Sequence, residues 1–111
     1  MGLGGPMFTL VFYVPSSHLE SVKQAVFAVG AGELGDYCQC CWQVLGTGQF
    51  EPMANARPFI GTQGALETVD EWRVEMLVRG EALQATLAAL RQAHPYEEPA
   101  FFVQKMYSIE G

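Results

Sequence analysis

Two stretches of helical periodicity, each flanked by stretches of period two, constrain this chain more than any other feature. Leu19, Val22, Val26 and Val29 recur at three- and four-residue spacing with Glu20, Lys23 and Gln24 between them. Leu83, Leu87 and Leu90 do the same among Glu81, Gln84, Arg91 and Gln92. Each pattern predicts an amphipathic helix with one apolar stripe. Before the first, Met7 to Val14 carries strong strand formers on both faces, as a central strand does, and Pro15 ends it. From Tyr37 to Val44 the period is two, with Cys38, Cys40, Trp42 and Val44 on one face and Tyr37, Gln39, Cys41 and Gln43 on the other. A third strand is expected from about Leu66 to Val78, where Trp72, Val74, Met76 and Val78 alternate with Arg73, Glu75 and Leu77, and a last one from Phe101 to Tyr107. Strand, helix, strand, strand, helix, strand is the order of an α+β, ferredoxin-like βαββαβ fold, in which two helices cover one face of a four-stranded antiparallel sheet.

The punctuation agrees with that order. Ser17 and Glu20 have the spacing of a capping box at the first helix, Gly30 and Gly32 supply its stop, and Pro95 closes the second helix near residue 93. Gly46-Thr47-Gly48 is expected to open a turn-rich connection that runs past Pro52, Asn55, Pro58 and Gly61 to Gly64, longer than a hairpin needs. A chain of 111 residues, half of them apolar, fits one core. The expected organisation is a flexible leader over residues 1–6, rich in Gly, followed by a single domain over 7–111.

Charge narrows the partners. Charged residues make up 16% of the chain, the net charge is -6, and Lys23, Arg57, Arg73, Arg79, Arg91 and Lys105 are scattered, so no nucleic acid and no anionic membrane is expected. No secretory leader or membrane-length apolar run is present, and three clustered cysteines do not make a disulfide framework, so the expected location is cytoplasmic. A sheet with helices on one side leaves its other side bare. Here that side would be apolar and aromatic, which predicts a homo-oligomer.

Six segments, in order, carry a resemblance. They are Phe12-Tyr13-Val14-Pro15, Ser17-His18-Leu19-Glu20, Gly46-Thr47-Gly48-Gln49-Phe50 with Pro52, Pro58-Phe59-Ile60-Gly61, Arg73-Val74-Glu75, and Ala93-His94-Pro95-Tyr96-Glu97-Glu98-Pro99-Ala100. Over roughly residues 8–103 they resemble the YqfO family, the insert domain of the NGG-interacting-factor-three proteins and its stand-alone relatives. The resemblance implies the PII-like or CutA-like version of the ferredoxin-like fold and, as its relatives are typically trimers, a homotrimer. His94-Pro95-Tyr96-Glu97 also resembles the matching stretch of the CutA divalent-cation-tolerance proteins, which associate through sheets and have been linked to copper and other divalent metals. Full-length members of the parent family bear a two-metal site on flanking segments rich in His and acidic residues. This chain has only His18 and His94, so a hydrolase or GTP cyclohydrolase activity does not transfer to it. The family pattern places one Cys after the Tyr, matching Cys40, with Cys38 and Cys41 additional.

Three groups of residues are candidates for a site. His94, Glu97 and Glu98 supply an imidazole and two carboxylates within five residues, a donor set suited to a borderline divalent metal, although the first expectation is that His94 caps helix carbonyls while both Glu face water. Cys38 and Cys40 could add thiolates for copper or zinc, or simply fill apolar space. The Gly46-Thr47-Gly48-Gln49 turn, with Tyr96, could offer amides to an anion, or be only a bend. His18 reads as a surface residue of the first helical turn.

No Ser/His/Asp set, activated cysteine or glycosidase-like carboxylate pair stands out, so no independent catalysis is expected. The expected function is a small oligomeric binding or sensing module, with a divalent metal or copper as the candidate ligand and no cofactor fixed by the residues. The alternatives are a structural protein-interaction module and a nucleotide- or anion-binding PII-like regulator.

Overall fold

A computed structural model describes residues 5–107. Strand β1 (Met7–Pro15) leads through a single 3-10 turn (Ser16–His18) into helix α1 (Leu19–Phe27). After a long loop come β2 (Trp42–Phe50) and β3 (Glu67–Arg79), then helix α2 (Gly80–Ala93) and β4 (Phe101–Met106). The four strands form one sheet in the order β2-β3-β1-β4, every pair antiparallel. This is the ferredoxin-like arrangement expected from the periodicities.

Register sorts the side chains between the two faces. Leu10 lies opposite Met76 and Val103, and Phe12 opposite Val74 and Phe101, so these residues share one face. Leu19, Val22 and Val26 of α1, with Ala82 and Leu90 of α2, join them in a single core in which Leu10, Phe12, Val14, Val22, Val26, Val74 and Leu90 are fully buried. Residues of the other phase, Val11, Arg73, Glu75 and Leu77 in the centre and Trp42, Val44, Phe102 and Met106 toward the edges, face the side without helices. There Trp42 is 60% exposed, Val44 43%, Phe102 39% and Met106 37%. At the centre Arg73 pairs with Glu75 at 3.0 Å and its guanidinium lies over the rings of Tyr13 and Phe102.

Several local expectations need correction. The second strand does not span Tyr37 to Val44. Residues 28–41 form a loop tied down by Gly32 N–H to the Leu77 carbonyl at 2.8 Å and Cys40 N–H to the Gly32 carbonyl at 2.8 Å, with an isolated bridge between Leu34 and Tyr37. The alternation through Cys38 and Cys40 is therefore not that of a strand. Gly46-Thr47-Gly48 is not a turn either, but the middle of β2, paired with Glu71, Asp70 and Val69. The capping box is not formed: the helix is entered through the 3-10 turn, and Ser17 Oγ bonds the neighbouring His18 Nδ1 at 2.8 Å.

The expected leader over 1–6 lies outside the described residues for its first four positions. Pro6 is anchored, its carbonyl accepting the Gly80 N–H at 2.8 Å. Among the described residues no helix is long and apolar enough to cross a membrane.

Candidate ligand-binding site

At the end of α2, Pro95 lacks the amide a further helical turn would need, and the chain leaves the helix at His94 in extended geometry. The imidazole is buried, 6% exposed. Its Nε2 lies 2.6 Å from the Tyr13 carbonyl, and its Nδ1 accepts the Tyr96 N–H at 3.1 Å. A carbonyl opposite Nε2 and an amide opposite Nδ1 assign the proton to Nε2 of a neutral ring. Burial is the main cause holding the His94 pKa below its ordinary value. The Tyr13 carbonyl and the Glu71 carboxylate pull the other way, and His18 adds slightly to the depression.

His94 thereby positions Tyr96, whose ring lies 4.9 Å from the imidazole by centroids. Tyr96 meets Phe50 at 6.1 Å and Phe59 at 6.4 Å, both tilted, and His18 meets Phe59 edge-on at 5.3 Å. Phe59 belongs to the connection over residues 51–66, which folds on itself. Gly64 N–H donates to the Pro52 carbonyl at 2.6 Å, Gln63 Nε2 to the Ala56 carbonyl at 2.7 Å, and Arg57 N–H reaches Glu97 Oε1 at 2.9 Å. The loop, the turn after α2 and the adjoining end of the sheet form the walls of an open cavity of about 320 Å³. Tyr13, Gln49, Phe50, Pro52, Pro58, Phe59, Ile60, Glu71, Tyr96, Glu97 and Glu98 line it, so its walls are aromatic and apolar and its charged groups are all carboxylates.

Glu71 reaches the cavity because of Gly48. A Cβ on that glycine would strike the Glu71 carboxylate, so the missing side chain in β2 is the room that Glu71 occupies. The Tyr96 hydroxyl lies buried beside this carboxylate, which is placed to take its proton, and its oxygen accepts no hydrogen bond. Burial first and Glu71 second push the Tyr96 phenol well above its usual range, so it stays protonated.

The candidate residues fall into separate places. Glu97, Glu98, Tyr96 and Gln49 line the cavity. His94 stands behind it with both ring nitrogens engaged. Gly46 and Thr47 do not line it, and Gly48 brings in a carboxylate, which is the wrong sign for an anion. Cys38 is exposed, while Cys40 and Cys41 line a different cavity with Thr9, Trp42, Glu75 and Leu77. Cys41, not Cys38 or Cys40, packs against the core. The metal set of His94, Glu97, Glu98, Cys40 and Cys38 is thus not assembled within one chain. Among the described residues no three His, Cys, Asp or Glu side chains are placed to hold a metal ion.

Sequence reasoning did not single out Tyr13, Phe50, Phe59 or Glu71. A signal for three of them was present. Four of the six segments that carry the family resemblance, those with Tyr13, with Gln49 to Pro52, with Pro58 to Ile60 and with Tyr96 to Ala100, supply walls of this one cavity, and a fifth supplies His18 against Phe59. Glu71 had no such signal.

No protein-family model matches the chain. Over 91 residues, 82% of its length, it is 53% identical to a protein of Mycobacterium leprae named GTP cyclohydrolase 1 type 2 homolog, of which it covers 24%. Among solved structures, a Bacillus cereus protein related to NIF3 superposes with a TM-score of 0.79 at 33% identity, over 96% of this chain and 27% of that one. CutA from Synechococcus elongatus gives 0.64 at 19% identity, over 96% of this chain and 80% of CutA. GlnK of Bacillus subtilis gives 0.54 at 15% identity, over 92% and 86% of the two chains. The last two share the fold. The chain spans about a quarter of the length of the curated relatives it matches. The sequence identity to those relatives and the superposition on the NIF3-related structure together make this chain a member of the NIF3-related YqfO family, matching a PII-like and CutA-like portion of its longer members.

Proposed function

We propose that the chain is a small self-associating binding module without catalysis of its own, and that the cavity beside Tyr96 is its ligand site. One observation carries this reading: segments far apart in sequence, the same ones that carry the family resemblance, meet around a single cavity of ligand size. The reading without catalysis is supported by His94, the imidazole nearest that cavity, which gives both ring nitrogens to backbone groups.

Self-association is supported by β2. Most of its residues are exposed, and Trp42 and Val44 lie with Phe102 and Met106 on the side of the sheet that the helices leave bare. A second copy would cover apolar surface there, and the resemblance to PII-like and CutA-like proteins suggests three copies. Three free cysteines suit a reducing compartment such as the cytoplasm.

A metal is the second reading, suggested by the shared fold with a CutA of Archaeoglobus fulgidus called a periplasmic divalent cation tolerance protein. Glu97 and Glu98 would hold it, with further ligands from a neighbouring subunit. A metal at His94 would have to displace the Tyr13 carbonyl or the Tyr96 amide.

Thermal-shift screening of the full chain against divalent metals, nucleotides, amines and carboxylic acids tests the binding reading, because a ligand that prefers the folded state raises its stability by mass action. A shift of several degrees with one class supports it. No shift with any class leaves a structural interaction module instead.

A further inference from the structure

Resting on that binding reading, we propose that the cavity takes an organic cation: a primary or secondary amine carried on a flat apolar body. Its charged groups are Glu71, Glu97 and Glu98, with no Lys, Arg or His among the lining residues. Arg57 approaches only through its backbone N–H, which engages Glu97, and Arg73 is turned to Glu75 and to the Tyr13 hydroxyl. An anion entering here would meet three carboxylates and no compensating charge. A cation meets the opposite field, in a chain whose net charge is already -6.

The aromatic rings make the same choice independently. Phe50, Tyr96 and Phe59 lie 6.1 and 6.4 Å apart at tilts of 52° and 48°. Aromatic rings on the wall of one cavity supply flat apolar surface, and an ammonium group that comes over a ring face is attracted by it. The third observation is the polar atom left over. The Tyr96 hydroxyl is buried with the Glu71 carboxylate beside it to take its proton's hydrogen bond, and no donor reaches its oxygen. A buried oxygen that accepts no hydrogen bond is unfavourable until a donor reaches it. An ammonium N–H supplies one: it donates to the Tyr96 oxygen and to Glu71 while its apolar body rests between the rings.

Gly48 completes the arrangement, because any larger residue there would drive the Glu71 carboxylate from its place. The cavity volume of about 320 Å³ is at the small end for ligand pockets and suits a single ring with a short chain.

The test uses three probes of one shape: phenethylamine, neutral 2-phenylethanol and anionic phenylacetate, each titrated into the 15N-labelled full chain at pH 7.5. The expected result is saturable movement of the backbone resonances of Phe50, Phe59, Tyr96 and Glu97 with the amine, at least tenfold weaker for the alcohol and absent for the acid. Glu71→Gln should weaken the amine at least tenfold, and Tyr96→Phe should weaken it while leaving the alcohol unchanged. If Glu71→Gln does not fold, Tyr96→Phe and the three-probe ranking still decide. Equal binding of amine and alcohol, tighter binding of the acid, or an amine affinity untouched by the substitutions overturns the cation assignment while leaving the cavity a ligand site. Movement with none of the probes overturns both.

Discussion

His94 shows how one side chain can look like a ligand and serve as a strut. Its neutral ring joins the Tyr13 carbonyl of β1 to the Tyr96 amide of the following turn. Protonation would put a second N–H on Nδ1, facing the Tyr96 N–H, so the charged form breaks the link. Because burial depresses the folded pKa below the ordinary 6.5, the unfolded chain takes up a proton here that the folded chain refuses. This contribution to stability is full above pH 6.5 and is lost as pH falls through the lower folded value. His94→Gln is expected to cost about 1–3 kcal/mol at pH 7.5, the usual range for leaving buried backbone partners unmatched. The gap between wild type and variant should narrow between pH 7.5 and 5, read from urea midpoints. A gap that stays constant would show that the ring does not titrate differently in the two states. Gly48→Ala tests the neighbouring residue pair. The atom in the way is the end of a flexible side chain, so stability should change by less than about 1 kcal/mol. The resonances of Tyr96 should nonetheless move as Glu71 is displaced.

At the scale of elements, α2 carries an unbalanced group. Thr86 is fully buried on the core side of the helix and its hydroxyl has no hydrogen-bond partner. Thr86→Val keeps the shape and removes the orphaned hydroxyl, so the variant should be more stable by about 1 kcal/mol in chemical denaturation. A loss of stability would mean that the hydroxyl is satisfied after all. The loop between α1 and β2 has the opposite character. Gly32 sits at φ +78, and a Cβ there would come within 2.8 Å of the Phe27 ring and 2.9 Å of the Cys40 carbonyl. Gly32→Ala should therefore cost about 1–3 kcal/mol, measured in the same way.

The same loop explains where the sequence was legible and where it was not. β1, β3 and α2 lie close to where the pattern puts them because each buries its own apolar stripe, and β4 does so by packing Phe101 and Val103 against the core. β2 is an edge strand with little to bury, so its pattern is weak. Of the two glycines that look like a turn, Gly48 leaves the room that Glu71 occupies, a residue two dozen positions away. The alternation at Tyr37 to Cys41 has no sheet partner, since Gly32 N–H already occupies the Leu77 carbonyl on that side of β3. The site was half legible for the same kind of reason. The run from His94 to Glu98 is contiguous and conspicuous, whereas Tyr13, Phe59 and Glu71 come together only through folding.

For the molecule as a whole, the unequal treatment of the two sheet faces sets the strongest expectation. One face buries Leu10, Phe12, Val14, Val74 and Met76 beneath the helices, and the other leaves Trp42, Val44, Phe102 and Met106 in water. At about 25 cal/mol per Å² of apolar surface, covering a tryptophan and its neighbours with a second copy supplies several kcal/mol toward the roughly 8 kcal/mol net that association at micromolar concentration requires. The Arg73–Glu75 pair at the centre of that face would be drier in the assembly and would fix its register more than its strength. Sedimentation of the 12.2 kDa chain at micromolar concentration should therefore show an oligomer, with a trimer the arrangement suggested by the resemblance. Trp42→Glu should shift the population to single chains without unfolding them, because Trp42 is mostly outside the core and its loss opens no cavity. Circular dichroism of the variant separates dissociation from unfolding. A wild-type chain that sediments as a monomer, with Trp42→Glu indistinguishable from it, would show that the bare face is stable in water and that self-association is no part of how this module works.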